Sequence, residues 1–288
     1  MNFSHRRSIP ESAREYGRGI AGGLIFSLPM LYTMEVWAAG FRLSPGRILL
    51  LAAVTFVLLL LYNRFAGLRR DASFAEVAID SVEELGLGLV IAAAMLWLTG
   101  QIDSQTHFAE IAGKTVVEAM AVAICVSVGT SQLGGEDSEQ EGMSGDDEDS
   151  GSDYLAQSAL ALCGAVLFAA NIAPTDEMQV IAMESPPWKI LLLAIGSFLG
   201  AAGVLLFTGI HGAERHVARD SPFISARGLI TTYAAALAGS TGCLFFFGKL
   251  DGQPVSLGVA MTVVVGAPAA LGASAGRLLL QTRSHDKR

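Results

Sequence analysis

FSLPMLYTMEVWAAGFRLSPGRILLLA, residues 26–52, and FAANIAPTDEMQVIAMESPPWKILLLA, residues 168–194, lie 142 positions apart and align without a gap. Extended over 26–67 against 168–209, 12 of 42 positions are identical, among them Phe26/Phe168, Thr33/Thr175, Glu35/Glu177, Pro45/Pro187 and Gly67/Gly209. Further along, GQID at 100–103 resembles GKLD at 248–251, and GKTVVEAMAVAICVSVG at 113–129 resembles AMTVVVGAPAALGASAG at 260–276. The chain therefore reads as a duplication: a first unit over 1–131, a linker over 132–154 and a second unit over 155–288.

Both copies are apolar. Of 288 residues, 52% are hydrophobic and 16% charged, with a mean hydropathy of +0.49. Soluble domains carry about 25% charged residues, so an ordinary soluble domain, a disordered chain and a nucleic-acid-binding protein are all excluded. Apolar runs lie at about 20–38, 48–66, 83–100, 113–131, 155–174, 188–210, 227–247 and 255–280. A helix of about 20 residues crosses the hydrocarbon core, where every backbone polar group must be satisfied internally. The expected fold is an all-α polytopic bundle of about eight transmembrane helices. Four crossings per unit is an even number, so the two units have parallel orientation, related by an axis along the membrane normal.

Charge sets the expected topology. With the N-terminus inside, 14 Lys+Arg fall on inner segments and 5 (Arg42, Arg47, Lys114, Lys189, Lys249) on outer ones. The positive-inside rule then places both termini in the cytoplasm, with Trp37, Trp97 and Trp188 at outer interfaces. The net charge of −8 comes from one segment: 136–153 holds nine acids and no base, leaving 19 Lys+Arg against 18 Asp+Glu, or +1, elsewhere. Like charges repel, so this linker is expected to be disordered and cytoplasmic. Its DDEDSG stretch resembles a calcium loop, but Gln157 stands where a bidentate glutamate is needed. Cys125, Cys163 and Cys243 are odd in number and sit in apolar runs, which is no disulfide framework.

The stretch RGIAGGLIFSLPMLYTMEVW, 18–37, resembles the opening of an uncharacterised family of bacterial integral membrane proteins, a domain of unknown function. The resemblance covers most of the chain. It implies a bacterial plasma-membrane protein and carries over no activity and no functional residue.

Candidate functional residues are acids in or near the spans. Ile20 to Glu35 is 15 residues, about 22 Å of helical rise. Glu35 and its repeat partner Glu177 thus lie in the outer part of the first helix of each unit. Asp176 adds a second charge, Glu118 lies at similar depth, and Pro29 and Pro174 interrupt the helices just before the acids. A carboxylate in the core is costly unless paired, hydrated or protonated, and broken helices expose carbonyls to cations. One reading is a proton or cation site made by Glu35, Asp176, Glu177 and Glu118. Its hard oxygen ligands suit protons or divalent cations such as Ca²⁺ and Mg²⁺. The other reading is that these acids merely end helices at the outer water surface. Glu76, Asp80, Glu83 and Glu84 recur at helical spacing and read either as an inner vestibule or, more simply, as a solvated face.

Other patterns point away from chemistry. Gly272-Ala-Ser274-Ala-Gly276 matches a nucleophile pattern but has no histidine within a span to serve it, and reads as a helix-packing face, like Gly19/Gly23 and Gly196/Gly200. His211 and His216, five apart, suit a solvated loop. No cofactor fingerprint is present, so no cofactor and no enzyme activity are expected. Two functions remain open: a channel or transporter for protons or a small inorganic cation, and a non-transporting membrane scaffold or sensor.

Overall fold

The computed structural model describes residues 9–66, 73–132, 150–209 and 222–285, and among these the secondary structure is helical. The first half contains α1 (Ile9–Leu31), α2 (Met34–Arg42), α3 (Pro45–Ala66), α4 (Phe74–Leu98) and α5 (Phe108–Gln132). The second contains α6 (Ser150–Ile172), α7 (Glu177–Glu184), α8 (Pro187–Gly209), α9 (Pro222–Phe246) and α10 (Val255–His285). Seven helices have windows long and apolar enough to cross a membrane, and α1 with α2, bent by 79° at their junction, make an eighth when taken as one span. The polytopic helical bundle expected from the hydropathy pattern is therefore what forms. The expected linker at 132–154 lies outside the described residues, except that α5 runs to Gln132 and α6 starts at Ser150.

Among the described residues ten helices stand where eight were expected, because the first span of the first half is broken into α1 and α2 and a short extra helix, α7, follows the first span of the second half. The run expected at 20–38 is not continuous. Pro29 lacks an N–H to continue the ladder, α1 stops at Leu31, and the Thr33 hydroxyl donates to the Pro29 carbonyl at 2.7 Å. In the second half α6 stops at Ile172 before Pro174, and the Thr175 hydroxyl donates to the Ile172 carbonyl at 2.9 Å. The third span begins at Phe74 rather than near 83. Ser73 caps it, its side chain accepting from the Glu76 N–H while the Glu76 carboxylate accepts from the Ser73 N–H, a reciprocal capping box.

Each half is built round its last helix. α5 packs on α1, α2, α3 and α4, and α10 packs on α6, α7, α8 and α9. Glycines set the closest approaches. A Cβ on Gly22 would lie 2.1 Å from the Gly129 Cα, so α1 and α5 cross with their backbones in contact. Gly164 of α6 meets Gly272 and Gly276 of α10 in the same way. Gly22 and Gly164 differ by 142 and Gly129 and Gly276 by 147, the offsets at which the sequence halves align. α4 and α9 end alike too. Gly100 and Gly248 have φ of +72° and +73°. The following N–H bonds back to Leu96 in one case and to Leu244 in the other, as in a Schellman cap.

The 272–276 motif is thus a packing face. Ser274 is buried, its hydroxyl donating to the Ala270 carbonyl at 2.9 Å. Gly196 and Gly200 depart from expectation: no atom lies within 4 Å of a Cβ built on either, because they sit on the outer surface of α8, where Leu191, Leu192, Ile195 and Leu199 are also exposed. Apolar exposure of this kind is what lipid requires. Cys125, Cys163 and Cys243 are free and buried.

The halves meet chiefly through α3 and α6, where Leu58, Leu59 and Tyr62 share one apolar cluster with Leu160, Cys163 and Leu167. At one end a polar clasp is added. Arg47 of α3 donates to both carboxylate oxygens of Asp251 at 2.6 and 3.1 Å, its guanidinium 4.9 Å from the Phe245 ring centroid. The Asp251 carboxyl, hydrogen-bonded by Arg47, is held below its ordinary pKa. The stability it contributes is present above the unfolded-state pKa and is lost as pH falls through the lower folded value. Asp251 is largely exposed, so screening limits the effect to about 1 kcal/mol. Asp251→Asn should lower the unfolding temperature slightly at neutral pH and not at all in strong acid; an equal loss at both would remove the charge pair as the cause.

Candidate functional site

α5 is the most enclosed of the spans, yet it carries Lys114, Thr115, Glu118 and Ser127. The lysine is fully accounted for. Its side chain is 6% exposed, with the ammonium 2.6 Å from the Glu110 carboxylate. It also donates to the Gln101 carbonyl at 2.9 Å and lies 5.1 Å from the Trp37 ring centroid. Four residues on, Glu118 is 0% exposed, and neither carboxyl oxygen has a hydrogen-bond partner; the Thr115 hydroxyl is likewise buried and unpartnered. Position i+4 is one turn along the same helix face. Because Gly22 lies on Gly129 and Gly40 on Gly113, the α1–α2 break at 32–33 falls level with the Glu118 region of α5.

A carboxyl group in such a place is expensive to ionise alone, so a proton or a counter-charge must accompany it. At the offset of 147, Lys114 and Glu118 correspond to Met261 and Val265, which are 1% and 0% exposed. Apolar side chains are therefore buried at the positions of the second half that this offset pairs with the two charges.

A second polar group lies toward the other end of α5. Asn63 of α3 donates from Nδ2 to Glu84 Oε2 at 2.7 Å and to Ser81 Oγ at 3.1 Å, and the Ser127 hydroxyl donates to Asn63 Oδ1 at 3.1 Å. Glu84 is 9% exposed. Ser127 is nine residues from Glu118, about 13 Å along the helix axis. The acidic stripe expected on α4 is divided by this arrangement. Glu76 belongs to the cap, Asp80 is half-buried, Glu83 is exposed and accepts from the Tyr16 hydroxyl at 3.4 Å, and Glu84 alone turns fully inward. Sequence reasoning passed over Asn63, although an amide inside LLLLYNRF was a visible signal.

The remaining candidates sit near the α1–α2 and α6–α7 breaks. Glu35 is half-buried in the first turn of α2. Glu177 is exposed in the first turn of α7. Asp176, also exposed, pairs with Lys249 at 2.5 Å, and that hydrogen bond holds its pKa below the ordinary carboxylate value. Among the described residues no hydrogen bond joins Glu35 to Glu177, and no three His, Cys, Asp or Glu side chains come together as a metal site. Gln157 lies within α6 and accepts from Arg277 at 2.7 Å, so it is no part of a calcium loop there. His211 and His216 lie outside the described residues.

Apolar helices exposed around enclosed central ones, with buried carboxyls inside, define a polytopic integral membrane protein. Residues 15–280 match the model of the family described as "Putative integral membrane protein (DUF2391)", and the chain belongs to that family. No curated protein and no solved structure matches it.

Proposed function

We propose that this is a membrane transporter or channel for protons or a small inorganic cation, built from two tandem units of parallel orientation, with its conducting groups in the first. The observation that carries the reading is Glu118, a fully buried carboxyl with no partner on either oxygen. An unpaired acid inside a span weakens the packing it sits in, and such residues usually mark ion or proton pathways. A lone carboxyl with one neighbouring hydroxyl suits a proton better than a divalent metal, which needs several oxygen ligands. Glu35, half-buried at the start of α2, is the outer group of the pathway, and Glu84 with Asn63 the inner one. The protein is not an enzyme on this reading.

The apolar contact between α3 and α6 favours the second reading, a scaffold or sensor. Proton flux into proteoliposomes, driven by a pH gradient and repeated with a panel of cations, separates the two. Wild type should conduct and Glu118→Gln should not. Wild-type flux in Glu118→Gln would end the proposal.

Both termini are proposed to be cytoplasmic, from the bias of basic residues. Single cysteines at Gln105 and Gly252 should then label from outside the cell, and one at Met143 should not. External labelling at 143 would reverse the orientation.

A further inference from the structure

Two spans, α9 and α10, each bring an arginine to one place beside the start of α6. Tyr154 begins the apolar window of α6, Arg227 stands near the start of that of α9, and Arg277 near the end of that of α10. Their convergence therefore lies where the bundle leaves the hydrocarbon. Arg277 does not extend away from the bundle. Its guanidinium is laid against α9, where a Cβ on Gly228 would come 2.3 Å from Nη2. It donates from Nη1 to the Thr232 hydroxyl at 3.0 Å and from Nη2 to Gln157 Oε1 at 2.7 Å, while Nε is buried without a partner. Arg227 stacks on Tyr154, 4.4 Å from the ring centroid, and the Tyr154 hydroxyl meets the Thr231 hydroxyl at 2.5 Å. Tyr154, Gln157, Ser158, Thr231, Thr232 and Arg277 line a narrow crevice, and Arg227 stands beside it on the Tyr154 ring. Among the described residues no carboxylate pairs with either arginine.

Neutral hydroxyl and amide partners leave the charge of a half-buried guanidinium uncompensated. The first half resolves the equivalent level differently: Glu84 aligns with Thr232, and Ser127 with Ser274, and there the charged member is an acid held by an amide. A guanidinium pair with spare donors is matched best by a phosphate oxyanion, which accepts from several N–H groups at once. At the interface of a membrane, anionic headgroups present that group to basic side chains.

We propose that Arg277 and Arg227 form a binding site for one anionic phosphate group at this face of the bundle, supplied by a phospholipid headgroup or by free phosphate. The test is thermal unfolding of the full-length protein in an uncharged maltoside detergent, titrated with dioctanoyl-phosphatidylglycerol, with zwitterionic dioctanoyl-phosphatidylcholine as baseline, and with inorganic phosphate. Wild type should gain about 5 °C near saturation. Arg277→Gln should lose the gain. Arg227→Gln, an exposed change that leaves the core alone, should at least halve it and serves if Arg277→Gln does not fold. A gain from the anionic lipid only assigns the headgroup, and an equal gain from inorganic phosphate assigns the free anion. No gain in wild type from either, or a full gain in the arginine variants, would overturn the site.

Discussion

Gly22→Val should leave almost no folded protein, and Gly164→Val should do the same from the other half of the chain. At Gly22 the new Cβ would sit 2.1 Å from the Gly129 Cα, and at Gly164 it would sit 2.1 Å from the Gly272 carbonyl oxygen. Both obstacles are backbone, so no rotamer change relieves them, and each helix pair would have to separate. Overpacking a soluble core typically costs about 1–3 kcal/mol. Here the cost should exceed that, because helices in lipid have no hydrophobic drive to re-associate at a greater distance and rely on close contact. Gly196→Val and Gly200→Val are the controls. They add the same atoms to positions with nothing within 4 Å and should leave yield and unfolding temperature unchanged. Size-exclusion profiles and thermal unfolding of the four variants would decide the matter. A monodisperse Gly22→Val protein of normal stability would show that the crossing is looser than described.

Glu118→Met should make the protein more stable and abolish flux. Leaving a buried polar group unsatisfied costs about 1–3 kcal/mol, and both oxygens of Glu118 are in that state. Methionine matches the length of glutamate and adapts to irregular space. Val265, which the 147-residue sequence offset pairs with Glu118, is apolar and fully buried. The expected gain in unfolding temperature, about 2–4 °C per kcal/mol in a protein of this size class, separates this account from a structural one. Were Glu118 held by a partner, Glu118→Met would destabilise the fold, and lost flux would then mean lost structure. A more stable protein that no longer conducts is the signature of a residue kept for function.

Much of the fold was legible in the sequence because lipid imposes so simple a rule on it. A run such as ILLLAAVTFVLLLLY at 48–62 has to be helical, since no water is present to satisfy its backbone. Pro29 and Pro174 announced where α1 and α6 would stop. What hydropathy could not announce was that a separate short helix would follow each stop. Val36, Ala38, Ala39 and Gly40 continue the apolar pattern of α1, and only their packing against α5 shows that the chain has turned.

The site was legible by residue type alone. Residue type placed Glu118 and Glu84 among the candidates, because an acid beside apolar neighbours is conspicuous in any membrane sequence. It could not distinguish Glu83, which is exposed, from the adjacent Glu84, which Asn63 holds inside, because one residue turns a helix by about 100° and only neighbouring helices define which side is interior. The same limit applies to small residues: Gly272 and Gly276 are pressed against α6, while Gly196 and Gly200 face outward with identical spacing. The local chemistry of the chain in lipid dictates that it crosses a membrane as helices and that the first of them is interrupted after Pro29. Tertiary structure alone decided that Lys114 is paired and Glu118 is not, since a charge is compensated or left alone by what the other helices bring to it.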